Sequence, residues 1–476
     1  MPDYYLAIDI GASSGRHILG YINNNKLFVE EVYRFENSTI RYDNSLLWDT
    51  NTLFKEIING LKICKQKNMI PISMGIDTWA VDYVLLDKNY SVLGKTYAYR
   101  DSRTSNMDKE VYKIISESEL YQKTGIQKQS FNTIYQLMAT KILEPNILHQ
   151  SKSFLMIPDY FHFLLTGIKT QEYTNASTTQ LVNVTTNNWD KDLINKLGFD
   201  ESLFNDVTLP GTYIGNLRKE IQDEIGFDCK IVVPATHDTG SAVMSVPSTE
   251  KDILYISSGT WSLMGTELDS ANTTSESQKL NFTNEGGYNF KFRYLKNIMG
   301  LWMIQSIKKE FNNEYSFSQL CQLAENATIK TIIDCNDNRF LSPKSMVTEI
   351  QQYCKENDLG VPKTVSEISA VIYNILAQCY SNTKNEIGKM TNINFNKINI
   401  HPGSVLVFTR DDSITCTTLP NGKVMYNGNE MSLSAAALDV LQNKYGYSTD
   451  AVSGSIYLMY EGETLDERRQ RLEYDD

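Results

Sequence analysis

The stretch AIDIGASSGR, residues 7–16, decides how this chain is read. Residues 6–10 read as a strand with Asp9 near its end. A tight turn of small residues follows, Gly11-Ala12-Ser13-Ser14-Gly15, and Arg16 closes it. It is not a dinucleotide fingerprint, which needs a glycine at position 13, and no Lys-Ser/Thr pair follows to make a P-loop. Small residues let backbone N–H groups approach an anion, the two serine hydroxyls add donors, and Arg16 adds charge. Asp9 is placed to hold Mg²⁺ through water. An ordinary hairpin turn with an exposed arginine is written with the same residues.

Composition bounds the rest. The chain has 476 residues, 41% hydrophobic and 21% charged, enough for two or three domains. A net charge of −12 with no sustained Lys/Arg run argues against nucleic acid as partner, while leaving room for a local cationic site. No apolar run approaches the ~20 residues of a membrane helix, and the N-terminus lacks the apolar core of a secretion signal. Seven scattered cysteines without a CxxC are expected to be reduced core thiols of a cytoplasmic protein. Five histidines without ligand spacing argue against zinc.

Strands are expected over 6–10, 17–23, 27–34, 72–76 and 83–86, with a helix over 51–62. A helical middle spans 116–165. A second cycle begins with strands over 231–234 and 253–257, a hairpin over 281–293, and helices over 301–311 and 364–390. The turn in YISSGTW, around Gly259, echoes the opening turn. Two α/β halves, each opening on a phosphate-type turn, are the simplest organisation.

Four further stretches carry chemistry. In VVPATHDTGSAV, residues 232–243, Asp238 follows a strand and turn beside His237. It suits a base for a substrate hydroxyl or, equally, a helix N-cap. In GIDTWAVDYVLLD, residues 75–87, Trp79 beside Asp77 and Asp82 suits a sugar, or else a core indole with two solvated carboxylates. YRDSRT, residues 99–104, adds two arginines and an aspartate, which a surface ion-pair cluster would also show. SSGTWSLMG, residues 257–265, offers the Thr260 hydroxyl, and NIMGLWMIQ, residues 297–305, places Asn297 and Gln305 at either end of an apolar stretch.

Taken together and in order, these stretches resemble the FGGY carbohydrate kinases. IPDYFHFLLTG and EYTNASTTQL within 157–181, FTNEGGYNF (282–290) and KNIMGLWMIQ (296–305) extend the resemblance across residues 1 to about 400. GTW and DTW-x-VDY separate it from the xylulose and glycerol kinase relatives. The resemblance implies an α/β fold: two actin-like (ribonuclease H-like) ATPase domains around a cleft, here 1–246 and 247–403. It implies ATP-dependent phosphorylation of L-rhamnulose at its 1-hydroxyl, with a ketose and MgATP as partners. Carried over residue by residue, Asp238 is the general base, and His237, Asp238, Thr239 and Asn297 contact the sugar. Ala12, Ser13, Ser14, Gly15, Arg16, Thr260 and Gln305 face the phosphates and Mg²⁺. Ala80 stands where the family has a sugar-contacting glycine, adding a methyl at a close approach.

The resemblance stops near residue 400. The family continues from a strand into a glycine-rich turn that cradles adenosine. Here an expected strand over 398–400 runs into HPGSVLVFTRDDSITC, and only Gly403 stands for that turn. Residues 404–476 read instead as a small α+β segment. A hairpin is expected around Asn421-Gly422, with a helix capped by Ser432, a strand over 455–460, and a charged helix over 465–474 whose arginines are solvated. The expectation is a kinase with a remodelled nucleotide end. The alternatives are a catalytically impaired sugar-binding relative, or a kinase for another ketose such as L-fuculose or L-xylulose.

Overall fold

The computed structural model describes residues 2–248, 253–341, 343–391, 395, 398–420, 422–447, 452 and 454–474. The chain forms two compact units. One runs to Pro247 and takes back Thr283–Arg293. The other holds Ser248–Phe282 and the chain from Tyr294 onward.

The first unit is built on a six-stranded sheet. Its strands are β1 (Tyr4–Ile10), β2 (Ser14–Asn23), β3 (Lys26–Glu36), β4 (Pro71–Thr78), β5 (Thr212–Asn216) and β6 (Lys230–Val233), in the order β5-β6-β4-β1-β2-β3. β1, β2 and β3 form an antiparallel meander. β4 joins β1 in parallel, and β6 joins β4 in parallel. The carboxyl ends of β1, β4 and β6 therefore share one edge, where open α/β sheets gather ligands.

Side-chain alternation sets the two faces. Leu6, Ile8 and Ile10 are buried, and Asp9 points the other way, half-buried. Helix α1 (Thr50–Gln66) is capped by Asp49, whose carboxylate accepts the Thr52 amide. Leu53, Ile57, Ile58, Leu61 and Cys64 bury its apolar stripe. His17 of β2 bonds the Ile57 carbonyl at 3.1 Å. Residue 60 must be glycine there, because a Cβ would run into the His17 ring. Helix α2 (Ile157–Thr166) is tied to β4 by the Ile76 amide, which donates to His162 Nε2 at 3.1 Å.

The expected helical middle is broken by one strand. Ser153–Met156, buried throughout, pairs antiparallel with Tyr83–Leu86. An uninterrupted buried run is common to a core helix and a core strand, so periodicity alone does not separate them.

In the second unit, Tyr255–Ser258 and Ser262–Leu268 form an antiparallel hairpin. Phe292–Ile298, whose part from Tyr294 belongs to this unit, lies beside Ser262–Leu268. Among the described residues, no strand from farther along the chain joins this sheet. Helices Trp302–Glu310, Met346–Glu356 and Val365–Thr391 build a core from Met303, Ile307, Ile350, Ile368 and Ile372.

The C-terminal part forms its own six-stranded antiparallel sheet, with a separate core that includes Leu406, Phe408, Ala437, Leu441 and Leu465. Asp411–Thr418 pairs with Val424–Tyr426 as a hairpin; Asn421 of its expected turn lies outside the described residues. Ser432 caps Leu433–Tyr445 as expected. Three expectations need correction. Residues 398–400 form a turn, with Asn399 at φ 53° and the Ile400 amide bonded to the Phe395 carbonyl, a local closure that a strand cannot make. Residues 455–460 divide into a short helix, Gly454–Tyr457, and a strand, Leu458–Tyr460. The arginines of Leu465–Tyr474 do not all form a solvated face: Arg468 is buried, bonding the Ile398 carbonyl and Glu463, and Arg469 is half-buried and pairs with Asp466, while Arg471 is exposed as expected.

Candidate active site

At the ligand edge of the first unit, strand register assembles the charges. Asp9 lies opposite Arg16 on β2 and beside Asp77 on β4. Arg16 Nε stands 3.3 Å from Asp9 Oδ2. Burial holds the Asp9 carboxyl above its ordinary range, against the pull of Arg16, and Asp238 pushes the same way as burial. Asp77 is driven well above the ordinary range by burial, then by Asp9 and Asp238. The two carboxyls share a hydrogen bond. Two carboxyl groups on neighbouring strands, Asp9 and Asp77, thus lie in the field of one guanidinium, with Asp238 of the following helix close enough to act on both.

The opening turn is braced from within. The Gly11 amide donates to the Ser14 carbonyl at 2.9 Å, and Asn37 holds both sides through the Gly11 and Ser13 carbonyls. Ala12 and Ser14 are half-buried and Ser13 is exposed, while Gly15 is buried. A Cβ at Gly15 would strike the Phe35 ring.

Asp238 opens helix α3 (Asp238–Met244), with its side chain 36% exposed. It is not the N-cap: His237 holds that position, and Asp238 Oδ1 accepts from the next residue, the Thr239 amide and hydroxyl. The carboxylate is therefore not consumed in starting the helix. Its backbone is positioned by a buried relay. Asp159 accepts the Glu172 amide, Glu172 accepts the Thr236 amide and hydroxyl, and the Thr174 hydroxyl accepts the His237 amide. The Thr78 amide closes the join to β4 by donating to the Thr236 carbonyl at 2.9 Å.

The His237 ring is buried among three charged partners. Nδ1 lies 3.0 Å from Arg293 Nη2 and 3.4 Å from Glu285 Oε2, and Nε2 lies 3.4 Å from Asp238 Oδ1. Ala80 is half-buried and Thr239 buried.

Trp79 and Asp82 do not form an open sugar platform. Asp82 is buried and accepts from Trp48 Nε1, Trp79 Nε1, Gln136 Nε2 and the Tyr99 amide. Burial still pushes its carboxyl up to about 6 against those four donors. The two indoles meet at 4.2 Å between centroids, both buried. The YRDSRT arginines are not a surface cluster either. The Arg103 guanidinium lies 3.7 Å over the Tyr97 ring, and Asp101 accepts the Leu46 amide.

In the second unit, the turn at Gly259 also joins two antiparallel strands, but is one residue tighter than the opening turn. The Gly259 amide donates to the Trp261 carbonyl at 2.8 Å. Thr260 Oγ1 and Gln305 Oε1 stand 3.5 Å apart, and the Trp302 amide donates to the Thr260 carbonyl. Asn297 is half-buried on its strand. Gly403 sits at φ 90° in an exposed turn of the C-terminal sheet, its amide on the Thr418 carbonyl.

Sequence reading missed Asp77 as a neighbour of Asp9, and missed Glu172, Glu285 and Arg293 altogether. Only strand register and long-range folding reveal them. Glu285 lies in FTNEGGYNF, a segment recognised without a role.

Residues 4–245 match the FGGY family of carbohydrate kinases, N-terminal domain. The chain belongs to this family and is a carbohydrate kinase of mixed α/β fold. Among its relatives, a rhamnulokinase from Oceanobacillus iheyensis is 50% identical over 403 residues, covering 85% of this chain and 86% of the relative. A rhamnulokinase from Bacillus subtilis is 40% identical, covering 89% and 87%. The fold matches a ligand-bound xylulose kinase from Lactobacillus acidophilus at TM-score 0.66 and 14% identity, over 99% of this chain and 96% of that one. It also matches a Plasmodium falciparum glycerol kinase with ADP at TM-score 0.61 and 14% identity, over 84% and 80%.

Proposed function

We propose that this kinase transfers the terminal phosphoryl group of ATP to the 1-hydroxyl of L-rhamnulose. The relatives from O. iheyensis and B. subtilis carry that acceptor in their name, at 50% and 40% identity over most of both chains. The observation that carries the chemistry is the group formed by Asp9 and Asp77 on two parallel strands, Arg16 opposite Asp9 on the antiparallel neighbour, and Asp238 at the start of helix α3.

Asp238 aligns the acceptor hydroxyl and takes its proton as oxygen bonds to phosphorus and the bond to the ADP oxygen breaks. Such a base is worth roughly 10²–10⁴ in rate. His237 and Thr239 beside it hold the sugar. Arg16 and the amides of 12–15 steady the phosphates. In the second unit, taken by itself, Asn297 carries the sugar-contact role, and Thr260 and Gln305 the phosphate role, that the family resemblance implies. Phosphoryl transfer is mostly positioning and charge stabilisation, which such groups supply. Mg²⁺ fits the donor set near Asp9: the donors are carboxylate oxygens. Among the described residues no cluster of three His, Cys, Asp or Glu could cage an ion alone. A hard cation that keeps its waters and leans on phosphates needs only one or two carboxylates. When bound, it neutralises charge on the phosphates. Free thiols throughout the chain fit a cytoplasmic enzyme.

Among the described residues the second-unit sheet gains no later strand, and Gly403 sits in a turn beside a separate sheet. Selectivity for the nucleotide base is therefore expected to be loose, with GTP accepted beside ATP. A coupled assay with L-rhamnulose and Mg-ATP tests the whole reading. ADP release that Asp238→Asn lowers at least 10²-fold supports it. No ADP release, or equal rates for the variant, would leave a non-catalytic sugar-binding relative. Faster turnover of L-fuculose or L-xylulose would reassign the acceptor.

A further inference from the structure

Arg293 is fully buried, one of the largest side chains in the protein without solvent contact. A guanidinium there is costly unless its charge is paired. Its Nε donates to the Gly286 carbonyl at 3.0 Å, Nη1 is ion-paired with Glu285 Oε2 at 3.2 Å outside hydrogen-bond geometry, and Nη2 faces His237 Nδ1 at 3.0 Å. The segment carrying these groups is anchored within the first unit. The Asn284 amide donates to the Gly125 carbonyl, and the Gly286 amide donates to Ser177 Oγ.

Arginine has donors and no acceptor. A histidine nitrogen meeting Arg293 Nη2 must therefore offer its lone pair. The ring proton then sits on the other nitrogen, Nε2, the one turned toward Asp238. Glu285 pulls the opposite way: it lies 3.4 Å from the same Nδ1 and, with Arg293 gone, would favour a proton there. The charged groups facing the ring are Arg293, Glu285 and Asp238.

We propose that Arg293, its charge balanced by Glu285, is a positioning residue that locks His237 as the neutral Nε2–H tautomer. His237 then presents one donor, on the side of Asp238, and no positive charge beside the base. That donor is fixed for an oxygen of Asp238 or of the sugar. The inference rests on the reading of Asp238 as general base, but the tautomer is measured without catalysis.

Ring ¹⁵N shifts of histidine-labelled protein at neutral pH test it, with His237→Gln assigning the resonance. The expected wild-type result is a bare Nδ1 and a protonated Nε2. In Arg293→Met, Nδ1 gains a proton, and kcat falls about 10- to 100-fold, the usual scale for losing an orienting partner, while KM for ATP stays unchanged. Arg293→Lys keeps a charge and a donor, retains the wild-type tautomer, and recovers most of the kcat, which keeps the test sharp if the methionine variant does not fold. A wild-type His237 with Nδ1–H, or doubly protonated, overturns the proposal. So does Arg293→Met or Arg293→Lys with unaltered tautomer and lost activity, which marks a structural role only. Full turnover in Asp238→Asn would instead overturn the base reading and leave the measured tautomer standing.

Discussion

Glu172 Oε2 accepts two hydrogen bonds from Thr236, from the amide at 3.0 Å and from the hydroxyl at 2.7 Å. The same carboxylate caps its own helix through the Thr174 and Asn175 amides. One buried side chain thus joins a helix start to the turn that delivers His237 and Asp238. Glu172→Gln replaces an acceptor with a donor facing donors. The expected cost is about 1–3 kcal/mol of stability, the penalty of an unmet buried group. Turnover should fall while ATP affinity holds. Thermal melts and steady-state kinetics on one preparation check both.

Arg16 faces Asp9 from a partly exposed position, so the pair itself adds little to stability. Its role is electrostatic: it pulls the Asp9 and Asp77 carboxyls down against their burial. Arg16→Ala is expected to leave the melting temperature nearly unchanged. The Mg-ATP concentration needed for half-maximal rate should rise about tenfold or more, the loss of one charge-assisted contact. A melting curve and an ATP titration of the rate decide this.

Trp79 donates its indole N–H to buried Asp82 and rests on Trp48. Trp79→Phe should cost about 1–3 kcal/mol by leaving Asp82 one donor short. The KM for the sugar should not move. A large rise in sugar KM at unchanged stability would restore the sugar-platform reading of this indole.

Two buried histidines make acid unfolding steeper. Burial lowers His17 to about 4 and His162 to about 3, from 6.5. Below pH 6.5 the unfolded chain takes up the protons first. The stability these residues confer is present above pH 6.5, and is lost as pH falls toward 4 for His17 and 3 for His162. The gap for His17 corresponds to roughly 3 kcal/mol. Asp82, raised to about 6, works in the opposite sense, so the variant difference is the clean measurement. In His162→Gln the glutamine oxygen can still accept the Ile76 amide. Urea unfolding at several pH values should show the variant gaining on the wild type from pH 6.5 downward.

Much was written locally. The strand, small-residue turn and arginine of 7–16 were readable because alternation and turn chemistry are short-range properties. So were the stripe of α1 and the Ser432 cap, and Asp238 could be singled out because a strand, a turn and small residues surround it within a few positions. What no local pattern could decide was which strand ends meet. Asp77 stands beside Asp9 only because β4 pairs in parallel with β1. Arg293 reaches His237 only because Thr283–Arg293 returns to the first unit. Trp79 turned inward because Trp48, distant in the chain, packs on it and shares the carboxylate of nearby Asp82. The sequence by itself determined the pieces and the family. The tertiary structure alone decided which buried charges face one another, since the energy of a charge depends on neighbours that the chain brings together only on folding.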